Sequence, residues 1–241
     1  MTASLLAGTV ALVTCASRGI GAAVAIELAR LGAHCVLTAR TQGGLEATDD
    51  AIRRLGGGAT LLPLDLLREG EKLDMLGPSI AQRFGRLDVV VHAAGLLAKL
   101  TPVAHIMPQD WQEAVAVNLT ACWRLIRTVD PPLRAAPAGR AVILTDPVVD
   151  APQAYWGLYG FGKAGQAHLV RSWAAEVVRT GLRVNLAAPA PVATKLRAMA
   201  MPGEDPDQLL STTDVAPAIA ALCLPTETRH GATIPIGNGA E

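Results

Sequence analysis

The chain has 241 residues, 51% of them apolar and 17% charged; Lys+Arg and Asp+Glu each total 21, for a formal net charge of zero. This composition excludes wholesale disorder, and the length suits one large domain or two small ones whose core needs no staples. The lack of a basic excess and the 3% aromatic content argue against a protein that holds nucleic acid by phosphate attraction and base stacking.

The first segment, Met1 to Ala16, is apolar. Its first charge is Arg18 and it runs into a Gly-containing turn, so no signal peptide is expected. No apolar run reaches the roughly 18 residues of a membrane span. Cys15, Cys35, Cys122 and Cys223 form no CxxC pair and no His/Cys cluster, which reads as reduced cytoplasmic thiols without a metal site.

Strands are predicted at Thr9–Thr14, His34–Thr38, Thr60–Leu64, Leu87–His92, Ala141–Thr145, Arg183–Ala187 and Thr233–Ile236. Helices are predicted between them at Ile20–Leu31, Leu45–Leu55, Glu69–Phe84, Pro108–Ala135, Leu158–Arg179 and Thr213–Leu222. Strands apolar throughout suit a parallel sheet buried on both faces, and strand–helix alternation implies right-handed crossovers. The fold class is therefore α/β, a doubly wound parallel sheet of about seven strands in one domain over 1–241. The segment 188–214 departs from the alternation. It carries Pro189, Pro191, Pro202 and Pro206 and a short helical piece around Thr194–Met201, and reads as a substrate lid or as a loose surface excursion. Its position after the sixth strand favours the lid, because ligands sit at the carboxyl ends of such strands.

The first strand leads through Thr14-Cys15-Ala16-Ser17-Arg18-Gly19-Ile20-Gly21 directly into a helix. Glycines here let the backbone approach a pyrophosphate, and the helix N-terminus offers free N–H groups and positive partial charge. An ordinary glycine turn would look the same. Arg40 ends the second strand, 19 residues after Gly21, where NAD-binding proteins usually carry an acid for the ribose 2′-hydroxyl. Arginine pairs instead with a 2′-phosphate, and Arg18 lies on the same side, so NADP(H) is preferred over NAD(H). Asp65, closing the third strand, either accepts from an adenine amino group or only starts a turn.

Tyr159 and Lys163 are four apart on a predicted helix and share a face. An ammonium beside a phenol favours the phenolate, lowering a pKa of about 10 towards the range useful for proton transfer. The alternative is a tyrosine packed over a lysine stem.

Together these residues resemble the short-chain dehydrogenase/reductase family over essentially the whole chain. The resemblance is carried by Thr14–Gly21, His92-Ala93-Ala94-Gly95, Asn118, Tyr159-Gly160-Phe161-Gly162-Lys163, and Arg183-Val184-Asn185 followed by Pro189. Trp156–Tyr159 and Pro202–Pro206 look like a bacterial subgroup, the YciK-type oxidoreductases. The resemblance implies a Rossmann-type fold and hydride transfer between NADP(H) and a small or medium carbonyl/alcohol substrate. Tyr159 would be the acid/base, Lys163 its partner and a holder of the nicotinamide ribose, and Asn118 the anchor of a proton-relaying water. It further implies a cofactor contact set of Thr14, Cys15, Ser17, Arg18, Gly19, Ile20 and Gly21 at the turn, with Arg40, Asp65 and Leu66 towards the adenosine. Ala93, Ala94, Gly95, Pro189, Ala190, Val192 and Thr194 would complete it, with Tyr159 and Lys163. A homodimer or homotetramer built through the two long helices is also implied, with Trp111, Trp123 and Trp173 as interface or core.

Four positions depart from the pattern. Thirteen residues before Tyr159, where a serine usually bonds the substrate oxygen, stands Asp146, flanked by Thr145 and Pro147. A carboxylate opposes the negative charge that carbonyl reduction builds. Asp146 is protonated and donates, or it turns away and Thr145 replaces it through a bulge, or the ordinary reaction is lost. Cys15 replaces the first glycine and is either an inert buried thiol or one made reactive by the helix N-terminus. Ala190 stands for a glycine and Ala93 for an asparagine. The rival reading is a non-catalytic NADP(H)-binding sensor or oligomerisation module on the same fold.

Overall fold

A computed structural model of the chain describes residues 4–237. Strands β1 (Val10–Thr14), β2 (His34–Ala39), β3 (Ala59–Pro63), β4 (Val89–His92), β5 (Arg140–Leu144), β6 (Arg183–Pro189) and β7 (Thr233–Ile236) form one sheet. Every pairing is parallel and the order is β3-β2-β1-β4-β5-β6-β7. The helices are α1 (Gly19–Arg30), α2 (Gln42–Arg54), α3 (Leu76–Phe84), α4 (Pro108–Val115), α5 (Ala121–Ala135), α6 (Gly157–Val177), α7 (Lys195–Ala200) and α8 (Thr212–Ala221).

Because side chains alternate across a strand, β1 serves two cores at once. Ala11 and Val13 pack with Val24 and Leu28 of α1, Leu45 of α2 and Ile219 of α8. Val10 and Leu12 face Ile80 of α3, Leu125 of α5 and Val170 of α6. All five residues of β1 are buried, which is why this strand reads as uninterrupted apolar text. The chain winds from β1 out to β3, then returns to lay β4 against the other edge of β1. At that reversal the connections diverge and leave a crevice above the carboxyl ends.

Two predicted helices are altered. The span Glu69–Phe84 becomes a tight 3₁₀ segment, Gly70–Met75, followed by α3. Pro78 has no N–H for the Asp74 carbonyl and its ring would clash there. That carbonyl instead accepts from the Thr128 hydroxyl at 3.0 Å. The span Pro108–Ala135 is continuous but contains a wide π turn at Ala116–Thr120, where Asn118 is fully buried. Such turns occur mostly where a helix must aim a side chain. After β6 the chain forms a parallel bridge between Val192 and Leu210 that encloses α7. Of the three tryptophans in question, Trp173 is core, with Nε1 donating to Asp130 at 2.7 Å, whereas Trp111 and Trp123 are exposed. Among the described residues no helix is long and apolar enough to cross a membrane.

Candidate active site

The crevice has a volume of about 1240 Å³, and its walls include every residue the sequence assigned to cofactor contact. At its floor the Thr14 hydroxyl accepts from the Ala93 N–H at 3.2 Å and shares a hydrogen bond with His92 Nδ1 at 2.9 Å. This ties β1 to β4 at the reversal. His92 is fully buried, and burial, followed by the Lys163 charge, pushes its pKa down to about 3. Neutral His92 is thus a structural crosslink, a role that sequence reading missed.

In the turn above, Gly21 is required by contact: a Cβ there would lie 2.6 Å from the Cys15 carbonyl oxygen. Gly19 has φ +60°, a conformation natural for glycine. Cys15 also adopts a positive φ of 52°, unusual for a side-chain-bearing residue and in keeping with a position where glycine is the easier choice. Burial raises its thiol pKa, opposed by Lys163, Arg18, the Gly95 backbone and Arg40, which is the direction of the inert thiol. Helix α1 starts with Arg18 as its extended N-cap, without a side-chain cap and without an acid in its first turn. Its first N–H groups are therefore available to an anion. Arg18 and Arg40 are both exposed on the crevice wall, and neither forms an ion pair among the described residues. Thr38 Oγ1 is buried without a partner on the same wall. Asp65 does start a turn: its Oδ1 accepts from the Leu67 N–H at 2.9 Å. An uncapped helix start, two uncommitted guanidiniums and a backbone cradle that a Cβ would fill fit a phosphorylated dinucleotide.

Tyr159 and Lys163 lie on one face of α6, each 4% exposed. The electrostatic coupling expected of them is not what surrounds the phenol. The Tyr159 hydroxyl donates to Asp146 Oδ2 at 3.2 Å. Burial first, then the charge and hydrogen bond of Asp146, raise the phenol well above its ordinary pKa, and Lys163 contributes nothing resolvable to that shift. The acidifying effect expected of Lys163 is therefore not what this arrangement shows: burial comes first, and the polar group in direct contact with the phenol is Asp146. Lys163 Nζ instead donates to the Ala94 carbonyl at 3.1 Å, the Leu144 carbonyl at 3.0 Å and Gln166 Oε1 at 3.2 Å. These three acceptors match the three donors of an ammonium. Burial lowers the Lys163 pKa, opposed by Cys122, Asp146 and Cys15. Gln166, fully buried one helical turn after Lys163, was also missed; its i+3 spacing was the available signal.

Asp146 does not turn away. Its Oδ1 accepts from the Val148 N–H at 2.9 Å, capping the short 3₁₀ turn Pro147–Val149, and this leaves Oδ2 aimed at Tyr159. Thr145 is buried with its hydroxyl unpartnered, and it is Asp146 that contacts the Tyr159 hydroxyl. Asn118 is committed through both ends of its amide: Oδ1 accepts from the Leu96 N–H at 2.7 Å and Nδ2 donates to the Leu96 carbonyl at 2.8 Å. It braces the loop after β4. Trp156, edge-on to Tyr159 at 5.8 Å between ring centroids, and Glu113 complete the substrate side. Above them, Thr194 caps α7, and Arg197 pairs with both carboxylate oxygens of Glu204 at 2.5 and 2.6 Å.

A family model described as short chain dehydrogenase matches residues 9–205. The chain is 35% identical over 215 residues to an uncharacterized oxidoreductase, YciK, of Escherichia coli, covering 88% of this chain and 85% of the relative. A structure of a putative short chain dehydrogenase from Pseudomonas syringae superposes with a TM-score of 0.92 at 30% identity, covering 97% of this chain and 96% of that one. Another, from Shigella flexneri and complexed with NADP, gives a TM-score of 0.92 at 32% identity, covering 97% and 99%.

Proposed function

This chain belongs to the short chain dehydrogenase family and is an NAD(P)-dependent oxidoreductase, and from that premise we propose that it transfers hydride between NADP(H), preferred over NAD(H), and a small or medium carbonyl/alcohol pair. The observation that carries the cofactor preference is the pair of uncommitted arginines, Arg18 and Arg40, beside an uncapped helix start. They would hold the 2′-phosphate, with Gly19, Ile20 and Gly21 cradling the pyrophosphate. The NADP-complexed Shigella flexneri neighbour supports the same reading. Asp65 and Leu66 would border the adenine; Ala93–Gly95, Pro189, Ala190, Val192 and Thr194 would border the remainder. When bound, the cofactor supplies or accepts the hydride.

The chain's own residues orient the substrate and handle its proton. Tyr159 directs its hydroxyl at Asp146, and its O–H is the transferable proton. Lys163 holds the Ala94 and Leu144 carbonyls together at the crevice floor and keeps a positive charge beneath it. Asn118 fixes the Leu96 backbone; a relay water would have to use the remaining acceptor capacity of its amide. The segment 188–214 acts as a lid within a single domain, supported by the Arg197–Glu204 pair and by the approach of Thr194 Cγ2 to within 3.9 Å of a Cβ placed at Gly19. A second copy of the chain covers the exposed face of α5 and α6, where Leu119, Trp123, His168 and Leu169 line a shallow apolar hollow.

One observation favours the sensor reading: the Asp146–Tyr159 bond holds the phenol protonated. Titration with NADPH followed by a carbonyl screen separates the two. Turnover abolished by Tyr159→Phe supports the enzyme; NADPH binding without turnover, indifferent to Tyr159→Phe, supports the sensor.

A further inference from the structure

The heteroatom that reacts must approach the Tyr159 hydroxyl, and that hydroxyl is already bonded to Asp146 Oδ2 at 3.2 Å. Any atom hydrogen-bonded to the phenol therefore sits within a few ångströms of a carboxylate. The nearby cations offset that charge only in part: Lys163 and Arg197 both feel Asp146 across space, but neither hydrogen-bonds to it, Lys163 being held by Ala94, Leu144 and Gln166 and Arg197 by Glu204. Glu113 adds a second acid to the same walls, and Lys195 at the start of α7 a further cation. Thr145, the neighbouring hydroxyl, is buried and makes no hydrogen bond to Tyr159. A ketone becoming an alkoxide would meet repulsion here, whereas a cation would meet a carboxylate and the face or edge of Trp156.

We propose that the hydride acceptor is a carbon doubly bonded to a protonated nitrogen, an iminium or protonated cyclic imine, and that Asp146 selects it over a ketone by accepting the N–H. The inference rests on the hydride-transfer reading above and changes the reacting heteroatom and, with it, the role of Tyr159, which positions the substrate instead of giving up a proton. The step balances without a protein proton. The iminium carbon gains the hydride lost by a reduced nicotinamide, the C=N π pair becomes the nitrogen lone pair, and the oxidised nicotinamide and a neutral amine leave. Charge at the reacting nitrogen falls from positive to neutral, so no anion forms against Asp146. The raised phenol pKa is no handicap in this reaction, since Tyr159 has only to orient Oδ2 and the substrate.

The test compares 2-methyl-1-pyrroline with cyclopentanone as NADPH oxidants in the wild type, Asp146→Asn and Asp146→Ser. Asparagine keeps an acceptor for the Val148 N–H, so the 3₁₀ turn is preserved. The expected result is a kcat/KM at least about tenfold higher for the imine, with that ratio falling about tenfold or more in both variants. A readout independent of turnover is calorimetric binding of pyrrolidinium to the protein with NADP⁺ present, expected to weaken about tenfold in Asp146→Asn. Wild type preferring the ketone, equal ratios in all three proteins, or NADPH binding with neither imine turnover nor pyrrolidinium binding would overturn the inference. Failure of every protein to bind NADPH would instead overturn the hydride-transfer reading itself.

Discussion

Removing the charge of Asp146 is expected to release the Tyr159 phenol. The carboxylate oxygen lies 3.2 Å from the phenol oxygen. At that separation a unit charge opposes phenolate formation by about 5 kcal/mol at an effective dielectric near 20, and by about 1 kcal/mol in bulk water. Asp146 is partly buried, so the effect lies between the two figures. Asp146→Asn is then expected to lower the phenol pKa, with burial still holding it above the ordinary value. The chain has only two tyrosines, so a Tyr155→Phe background leaves Tyr159 as the sole source of phenolate absorbance on alkaline titration. With aspartate at 146, phenolate is expected only at strongly alkaline pH; with asparagine, it appears earlier. Superimposable titration curves would refute the assignment of Asp146 as the group that holds this proton.

Three further outcomes follow from the same geometry. Arg40→Asp is expected to weaken NADPH binding by about 10- to 100-fold while improving NADH, as read from nicotinamide fluorescence; unchanged NADPH affinity would contradict the 2′-phosphate role. His92, with its pKa pushed down to about 3, binds fewer protons when folded than when unfolded between that value and its ordinary 6.5. Its contribution to stability is thus complete above about pH 6.5 and is lost as pH falls towards 3, amounting to about 2–3 kcal/mol by pH 4.5. Denaturant unfolding should show that acid-side loss in the wild type and a shallower one in His92→Asn; equal slopes would contradict the buried neutral histidine. Trp123→Glu is expected to shift sedimentation towards monomer with the fold intact by circular dichroism, and an unchanged sedimentation coefficient would remove α5 from the proposed interface.

Periodicity located all seven strands to within two residues at each end: β1, β4 and β5 are buried throughout, and the edge strands β3 and β7, though only partly buried, keep the short apolar run. Helix interruptions were less legible. The π turn around Asn118 has no residue signature, and although Pro78 marks the break at Met75, the partner that satisfies the freed Asp74 carbonyl is Thr128, far along the chain. At the site, glycines and arginines announced the nucleotide end because the backbone conformations and charges they supply are local properties. The catalytic end was legible in membership but not in wiring. Spacing puts Tyr159 and Lys163 on one face, yet which acceptor each finds depends on the capping turn at Asp146 and on Gln166. Electrostatics followed those contacts, so the phenol shifted opposite to the direction that the YxxxK spacing implies.

The most direct measurement is transfer of deuterium from NADPH labelled at the nicotinamide C4 into the acceptor, followed by mass spectrometry in the wild type and Tyr159→Phe. Deuterium bonded to the former C=N or C=O carbon, strongly reduced by the Tyr159 substitution, is the predicted result. Bound NADPH that delivers label to no acceptor, or delivers it equally in both proteins, would contradict a hydride-transfer site built on Tyr159 and Asp146.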